Sequence, residues 1–278
     1  MKQNHTHSIR TLTLTGALAV ALWGCQKDDF TPQNNHQPDG LNLTVIDGGY
    51  TGSAANDDNG KGNDMPPTRA IENGYKTTFT AGDQIGIYAV KNDALTTANT
   101  NIRLTLTDIG DGVLQWQPPT GIQLPVDADR YFIYYPYKAS PGTGIPSATD
   151  ADAFFANIIK AWSPSFEQSD VTKYTSKDLM VGSGTPGAST AGGIPLAITL
   201  EHKMGLAIVK LPEGVTDITF YNFNPYQGVS GEYRYLVKPS TPTPLSGSFT
   251  DGGEARGYTI NATVTAGNYK TYNVQGKP

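Results

Sequence analysis

Cysteine is nearly absent from this chain. Of 278 residues only Cys25 carries a thiol, which excludes intrachain disulfides and Cys-rich zinc sites. Histidine is scarce and scattered at His5, His7, His36 and His202, with no H-E-x-x-H pair. No G-x-S-x-G elbow and no Walker loop occur either, so the common signatures of metalloprotease, acyl-transfer and phosphoryl-transfer chemistry are missing. Charged residues make up only 16 % of the chain and the formal net charge is -5. Nucleic acid would ask for a basic face, which this balance does not supply. No cofactor, no metal and no catalytic set is expected, and the chain is read as a non-enzyme.

Turn-forming and β-favouring residues are plentiful. There are 31 glycines, 19 prolines and 15 tyrosines, and Thr recurs throughout. That mixture predicts short strands joined by turns, the composition of sandwiches and barrels.

The first residues read as a leader. Lys2 and Arg10 form a basic region, and residues 12–23 form an uncharged apolar stretch too short to remain as a membrane span. It ends in Leu22-Trp23-Gly24-Cys25, which resembles a bacterial lipoprotein lipobox, with Cys25 the acylated thiol. Several acyl chains, at about 0.8 kcal/mol per buried methylene, would anchor the protein stably. Lys27, Asp28 and Asp29 follow, similar to the export signal of surface lipoproteins in Bacteroidetes-type bacteria. The resemblance implies the outer face of the outer membrane.

Residues 25–69 are expected to be a linker or propeptide, rich in Asn, Asp, Gly and Pro and unable to bury a core. One island breaks the pattern at 41–46, where Leu41, Leu43 and Val45 alternate as in a half-buried strand. A lone strand needs a sheet to join. The acidic stretch 56–64 lacks the spacing of a calcium loop. Arg69 is the only basic residue between Lys61 and Lys76. It follows Pro66-Pro67, which keep the chain extended, so the Arg69–Ala70 bond is expected to be open to a trypsin-like protease.

Strand-like segments then follow. Ile85, Ile87 and Ala89 share one face, and the turn at 108–112 joins 102–107 to 113–116 in a hairpin with Leu104, Leu106, Leu114 and Trp116 inward. At 131–137 both faces are apolar. This reads as a central core strand, with a Tyr face for a sugar or a subunit as the alternative. Residues 149–162 fit helical spacing, although 157–162 also reads as a strand. Residues 182–193 are taken as a linker. Their G-x-G-x-x-G is rejected as a dinucleotide site because Pro186, Gly187, Gly192 and Gly193 forbid the helix it would need. Residues 194–208 keep one apolar parity across a long or bent strand, and His202 falls on it, as a packed, hydrogen-bonded residue. Tyr258, Ile260, Ala262 and Val264 alternate near the end, followed by a strand at 269–274. The carboxylate pairs Asp127/Asp129 and Asp108/Asp111 are read as solvated turn residues, not a glycosidase pair.

Five segments carry a wider resemblance: Phe-Thr-Ala-Gly-Asp-Gln-Ile-Gly-Ile-Tyr-Ala from Phe79, the aromatic run at 131–137, Gln168-Ser-Asp170, Asp178-Leu-Met, and Leu200-Glu-His-Lys-Met. Their ordered set over residues 68–211 resembles the fimbrillin family of Bacteroidales. The resemblance implies an all-β fold with two transthyretin-like β-sandwich domains, expected here at 70–190 and 191–278, after a signal peptide (1–24) and the linker. It also implies a type V pilus precursor, cut at Arg69, in which a displaced strand (Leu41, Leu43, Val45) leaves a groove. A C-terminal strand of a neighbouring subunit would fill that groove, with Tyr258, Ile260, Ala262 and Val264 as one candidate and 269–274 as the other. Expected partners are other fimbrial subunits in a homo- or hetero-polymer, the outer membrane through the lipid, and a surface ligand of unknown kind. The alternatives are a lipid-anchored glycan-binding module, using the 131–137 face or Tyr221, Phe223 and Tyr226, and an uncut tip or anchor adhesin.

Overall fold

The computed structural model describes residues 40–52, 71–73, 75–96, 100–228 and 231–276. All lie within the compact unit Pro32–Pro278. In chain order the elements are β1 (Leu41–Asp47), β2 (Ile71–Asn73), β3 (Lys76–Thr78), β4 (Gln84–Lys91), β5 (Ala94–Leu95), β6 (Ile102–Asp108), β7 (Leu114–Gln117), β8 (Arg130–Tyr135), α1 (Ala151–Phe154), α2 (Ala156–Ala161) and α3 (Val171–Thr175). They continue with β9 (Met180–Gly184), β10 (Ile194–His202), β11 (Gly205–Lys210), β12 (Thr216–Phe220), β13 (Tyr226–Gln227), β14 (Glu232–Val237), β15 (Thr243–Asp251), β16 (Glu254–Ala262) and β17 (Tyr269–Asn273). The fold is all-β in character, with three short helices as connections among the described residues.

The first sheet runs β1-β10-β9-β8-β4-β6-β7, with β5 against β4. Strands β4 and β8 are central and covered on both faces, which is why they read as continuous apolar runs. One face sends Ile85, Ile87, Tyr131, Ile133 and Tyr135 into a core with Leu104, Leu106 and Trp116. The other sends Tyr88, Val90, Phe132 and Tyr134 into a second core. The 131–135 tyrosines are all buried, so the alternative of a sugar-binding face there is overturned: both faces of β8 are used up by packing.

The stretch expected as a linker at 182–193 begins as strand. Gly182 and Gly184 belong to β9 because β10 passes so close. A Cβ at Gly182 would lie 2.3 Å from the Thr199 carbonyl oxygen, and one at Gly184 would lie 2.8 Å from Ile198 Cγ1. Glycine is needed here for backbone approach rather than for a turn. Strand β10, beyond the expected boundary at 190/191, lies in the first sheet. It pairs with β9 at Glu201 and His202, and with β1 in parallel along Ile194 to Leu200. The long apolar parity at 194–208 is two strands, and the change of sheet falls between His202 and Gly205.

The second sheet is β13-β14-β11-β17 and the third is β12-β15-β16. Met204, Leu206, Ile208 and Leu236 enter the second core together with Phe154, Phe155, Ile158 and Trp162 of the helical segment. That segment, ambiguous in the sequence, forms α1 and α2, with Asp150 capping α1 through the Ala153 N–H at 2.8 Å. Ala207, Val209, Tyr233 and Tyr235 face the opposite way into a third core with Leu245, Phe249, Tyr258, Ala262 and Val264.

Candidate functional site

Strand β1 stands at the edge of the first sheet, and β10 is its ladder partner. Its burial alternates as its sequence does: Leu41, Leu43 and Val45 are 3 %, 1 % and 8 % exposed and sit in the first core. The pairing to β10 holds one register from Leu41↔Ile194 to Asp47↔Leu200. Fully burying each such side chain contributes roughly 1.5–3 kcal/mol, so the three together contribute about 5–9 kcal/mol.

The same parity continues to Asp47, whose side chain is also buried. Its Oδ1 lies 2.9 Å from His202 Nε2, and His202 Nδ1 lies 3.0 Å from Asp178 Oδ2. These are ion-pair contacts rather than well-aligned hydrogen bonds. The Tyr50 ring stacks on His202 with centroids 3.8 Å apart, and its hydroxyl donates to Asp178 Oδ1 at 2.7 Å. Backbone N–H groups of Gly49 and Thr77 donate to the two Asp47 oxygens. Burial pushes the His202 imidazole down, but the carboxylates of Asp178 and Asp47 overcome it and raise its pKa to about 10. Burial likewise raises the Asp47 carboxyl, and His202 with the two N–H donors brings it below the usual carboxylate range. His202 is therefore an imidazolium clamped between two carboxylates, one of them on the edge strand.

Beyond Asp47 the segment is held at two further points. The Tyr50 N–H donates to the Tyr75 carbonyl at 2.9 Å. Thr51 exchanges two backbone bonds with the start of β17, donating to Gly267 and accepting from Tyr269, both at 2.9 Å. One short stretch thus touches the first sheet, the β2–β3 hairpin and β17.

The segments singled out in the sequence acquire structural roles. Gln168, fully buried, accepts from the Leu236 N–H at 2.8 Å and donates to the Leu236 carbonyl at 3.1 Å, while Asp170 caps α3. Asp83 accepts from the Thr80 N–H at 2.7 Å. Asp178 and His202, far apart in sequence, meet at the clamp. Asp127 pairs with Lys91, and Asp129 accepts from the Asn92 N–H, both at the exposed surface. Among the described residues no cluster of three or more His, Cys, Asp or Glu is arranged to hold a metal. Cys25, Lys27, Asp28, Asp29, Arg69 and Ala70 lie outside the described residues.

Of the two C-terminal candidates, Tyr258, Ala262 and Val264 are built into the third core, with Ile260 packed against it, and β16 pairs with β15 along its length. Strand β17 pairs in parallel with β11 at a sheet edge and buries none of its residues fully. Elsewhere Phe166 (71 % exposed) and Tyr221 (62 % exposed) form an open aromatic patch with Phe223, Pro242 and Pro244. Nothing in the local sequence distinguishes Phe166 from a core aromatic. Tyr226 instead packs against the second core.

What this geometry defines is a class: an all-β protein whose first sheet is completed by a strand remote in sequence from its neighbour. Comparison supplies the family. The fimbrillin-like family model matches residues 68–226, and the chain belongs to that family. It is 29 % identical over 314 residues to the Bacteroides ovatus protein named "Putative fimbrium tip subunit Fim1C", covering 99 % of this chain and 53 % of that protein. It is also similar to a crystal structure of a fimbrial protein from Bacteroides ovatus ATCC 8483, at 26 % identity and a TM-score of 0.63, covering 88 % of this chain and 49 % of that one. The chain spans about half the length of these relatives.

Proposed function

We propose that the chain is a fimbrial subunit precursor that assembles head-to-tail by strand exchange. In this reading it is exported as a lipoprotein through Cys25 and the Lys27-Asp28-Asp29 signal, reaches the cell surface, and is cut after Arg69. It is organised as two sandwich domains of transthyretin type and serves adhesion.

The observation that supports the reading is the position of β1. It is an edge strand with three buried apolar side chains, and its connection onward runs through Arg69. While the connection is intact, β1 cannot leave far. Once cut, it is held only by its own contacts: about 5–9 kcal/mol of apolar burial, several backbone bonds at a net ~0.5–1.5 kcal/mol each, and the buried Asp47–His202 ion pair. Association costs about 4–15 kcal/mol, so a cut strand is exchangeable and a longer or better-fitting strand replaces it. The emptied groove would present unpaired backbone and apolar pockets, which recruit another strand. Donor and groove are different surfaces, so the contact propagates into a filament. Burial favours β17 over β16 as the strand this subunit could itself donate, since releasing β17 opens less core. The test is Arg69→Ala: polymers should be lost, and polymers that persist unchanged would refute the reading.

A second reading, a tip or anchor adhesin that is never cut, rests on the exposed Phe166–Tyr221 patch. An aromatic surface of this kind suits the apolar face of a sugar or another protein. It predicts a recovered N-terminus at acylated Cys25 instead of Ala70.

A further inference from the structure

We propose that the groove under β1 reads its occupant by charge as well as shape. It takes an extended segment with apolar residues at three alternating positions and a carboxylate two residues after the last. The proposal rests on the strand-exchange reading above and names what the groove selects.

Leu41, Leu43, Val45 and Asp47 lie on one parity of β1, and all four point inward. The first three fill the core. The fourth meets an imidazole whose side chain is fully buried, and whose other nitrogen already faces Asp178. When β1 leaves, His202 keeps one carboxylate and loses the second. It also loses the stacked Tyr50 ring, whose hydroxyl bonds Asp178 at 2.7 Å. A replacement strand that is apolar at the fourth position would seal a half-paired cation beneath it, an expensive arrangement in a low-dielectric site. One with Asp or Glu there restores the clamp.

This chain's own C-terminal strands do not meet the demand. After Tyr258, Ile260 and Ala262 the fourth position is Val264, and one register later it is Ala266. In β17 the alternation Tyr269, Thr271, Asn273 runs on to Gln275. A copy of either strand would leave His202 without its second carboxylate, so neither of these two strands is the occupant the groove selects.

The experiment uses the full chain nicked after Arg69 by an arginine-specific protease, challenged with fluorescently labelled peptides and read by anisotropy. The native peptide of residues 40–52 should be taken up, and its Asp47→Asn form on the order of 100-fold more weakly. A peptide of residues 256–268 should do no better than the Asn form. In the His202→Gln chain, the Asp and Asn peptides should differ by less than about threefold. Equal uptake of the Asp and Asn peptides by the wild-type chain overturns the proposal and leaves strand exchange standing. So does discrimination that survives His202→Gln, which would assign it to the Gly49 and Thr77 N–H groups. Uptake of neither peptide sinks the strand-exchange reading, and this inference with it.

Discussion

Replacing Asp47 with Asn in the intact chain isolates the charge of the clamp from its shape. Asn keeps the volume and an acceptor for one N–H donor, and removes the anion 2.9 Å from His202 Nε2. Removing one partner from a buried ion pair costs about 3–5 kcal/mol. Because Asn retains some hydrogen bonding, the lower end, about 3 kcal/mol, is expected at pH 7. The pH dependence follows from the directions of the shifts. The His202 pKa is raised from 6.5 to about 10, so its stabilisation is fully present below pH 6.5 and is lost as pH rises through about 10. The Asp47 pKa is lowered, so its stabilisation is present above its ordinary value of 3.8 and is lost as pH falls through the lowered one. The wild-type advantage should therefore be greatest between these limits, near pH 5–7, and shrink toward pH 10. Guanidinium unfolding followed by tryptophan fluorescence measures it, since Trp116 shares a core with β1. A difference below about 1 kcal/mol at pH 7, or one that stays flat from pH 6 to beyond 10, would refute the account of the clamp.

Other outcomes follow from the packing. Leu43→Ala removes a side chain that is 1 % exposed and should destabilise by about 2–5 kcal/mol; in the nicked chain it should speed loss of the N-terminal fragment, measured by size exclusion. Gly182→Ala places a methyl 2.3 Å from the Thr199 carbonyl oxygen and should cost about 1–3 kcal/mol or more, read as a lowered melting temperature. Nicking followed by fragment release should raise amide exchange in β17, because Thr51 holds its first residues; unchanged protection there would show that β17 does not depend on this contact.

The sequence carried much of the fold through periodicity. Alternation marked Leu41, Leu43 and Val45, the turn at 108–112 marked the β6–β7 hairpin, and the doubly apolar run at 131–135 marked a strand covered on both faces. What escaped was long-range. Gly182 and Gly184 look like a linker because close backbone approach and flexible loops call for the same residue. That β10 belongs with β9 and β1 is a matter of pairing partners, which local pattern does not encode. The clamp was missed because Asp47, Asp178 and His202 are far apart along the chain. A signal was present all the same: His202 lies on an apolar parity, and Asp47 continues the buried parity of Leu41, Leu43 and Val45, so both are polar residues at positions that should be inside. Two such anomalies of opposite charge are candidates to pair. Phe166 left no comparable trace, since exposure of a single aromatic depends on what the fold fails to cover.

The central claim is that β1 is a removable piece of its own sheet. Mass spectrometry of subunits recovered from assembled filaments tests it most directly. The account predicts a first residue of Ala70, with no peptide from residues 41–47 in the filament. Subunits that begin at Cys25 and still carry those residues in a fully formed filament would contradict it.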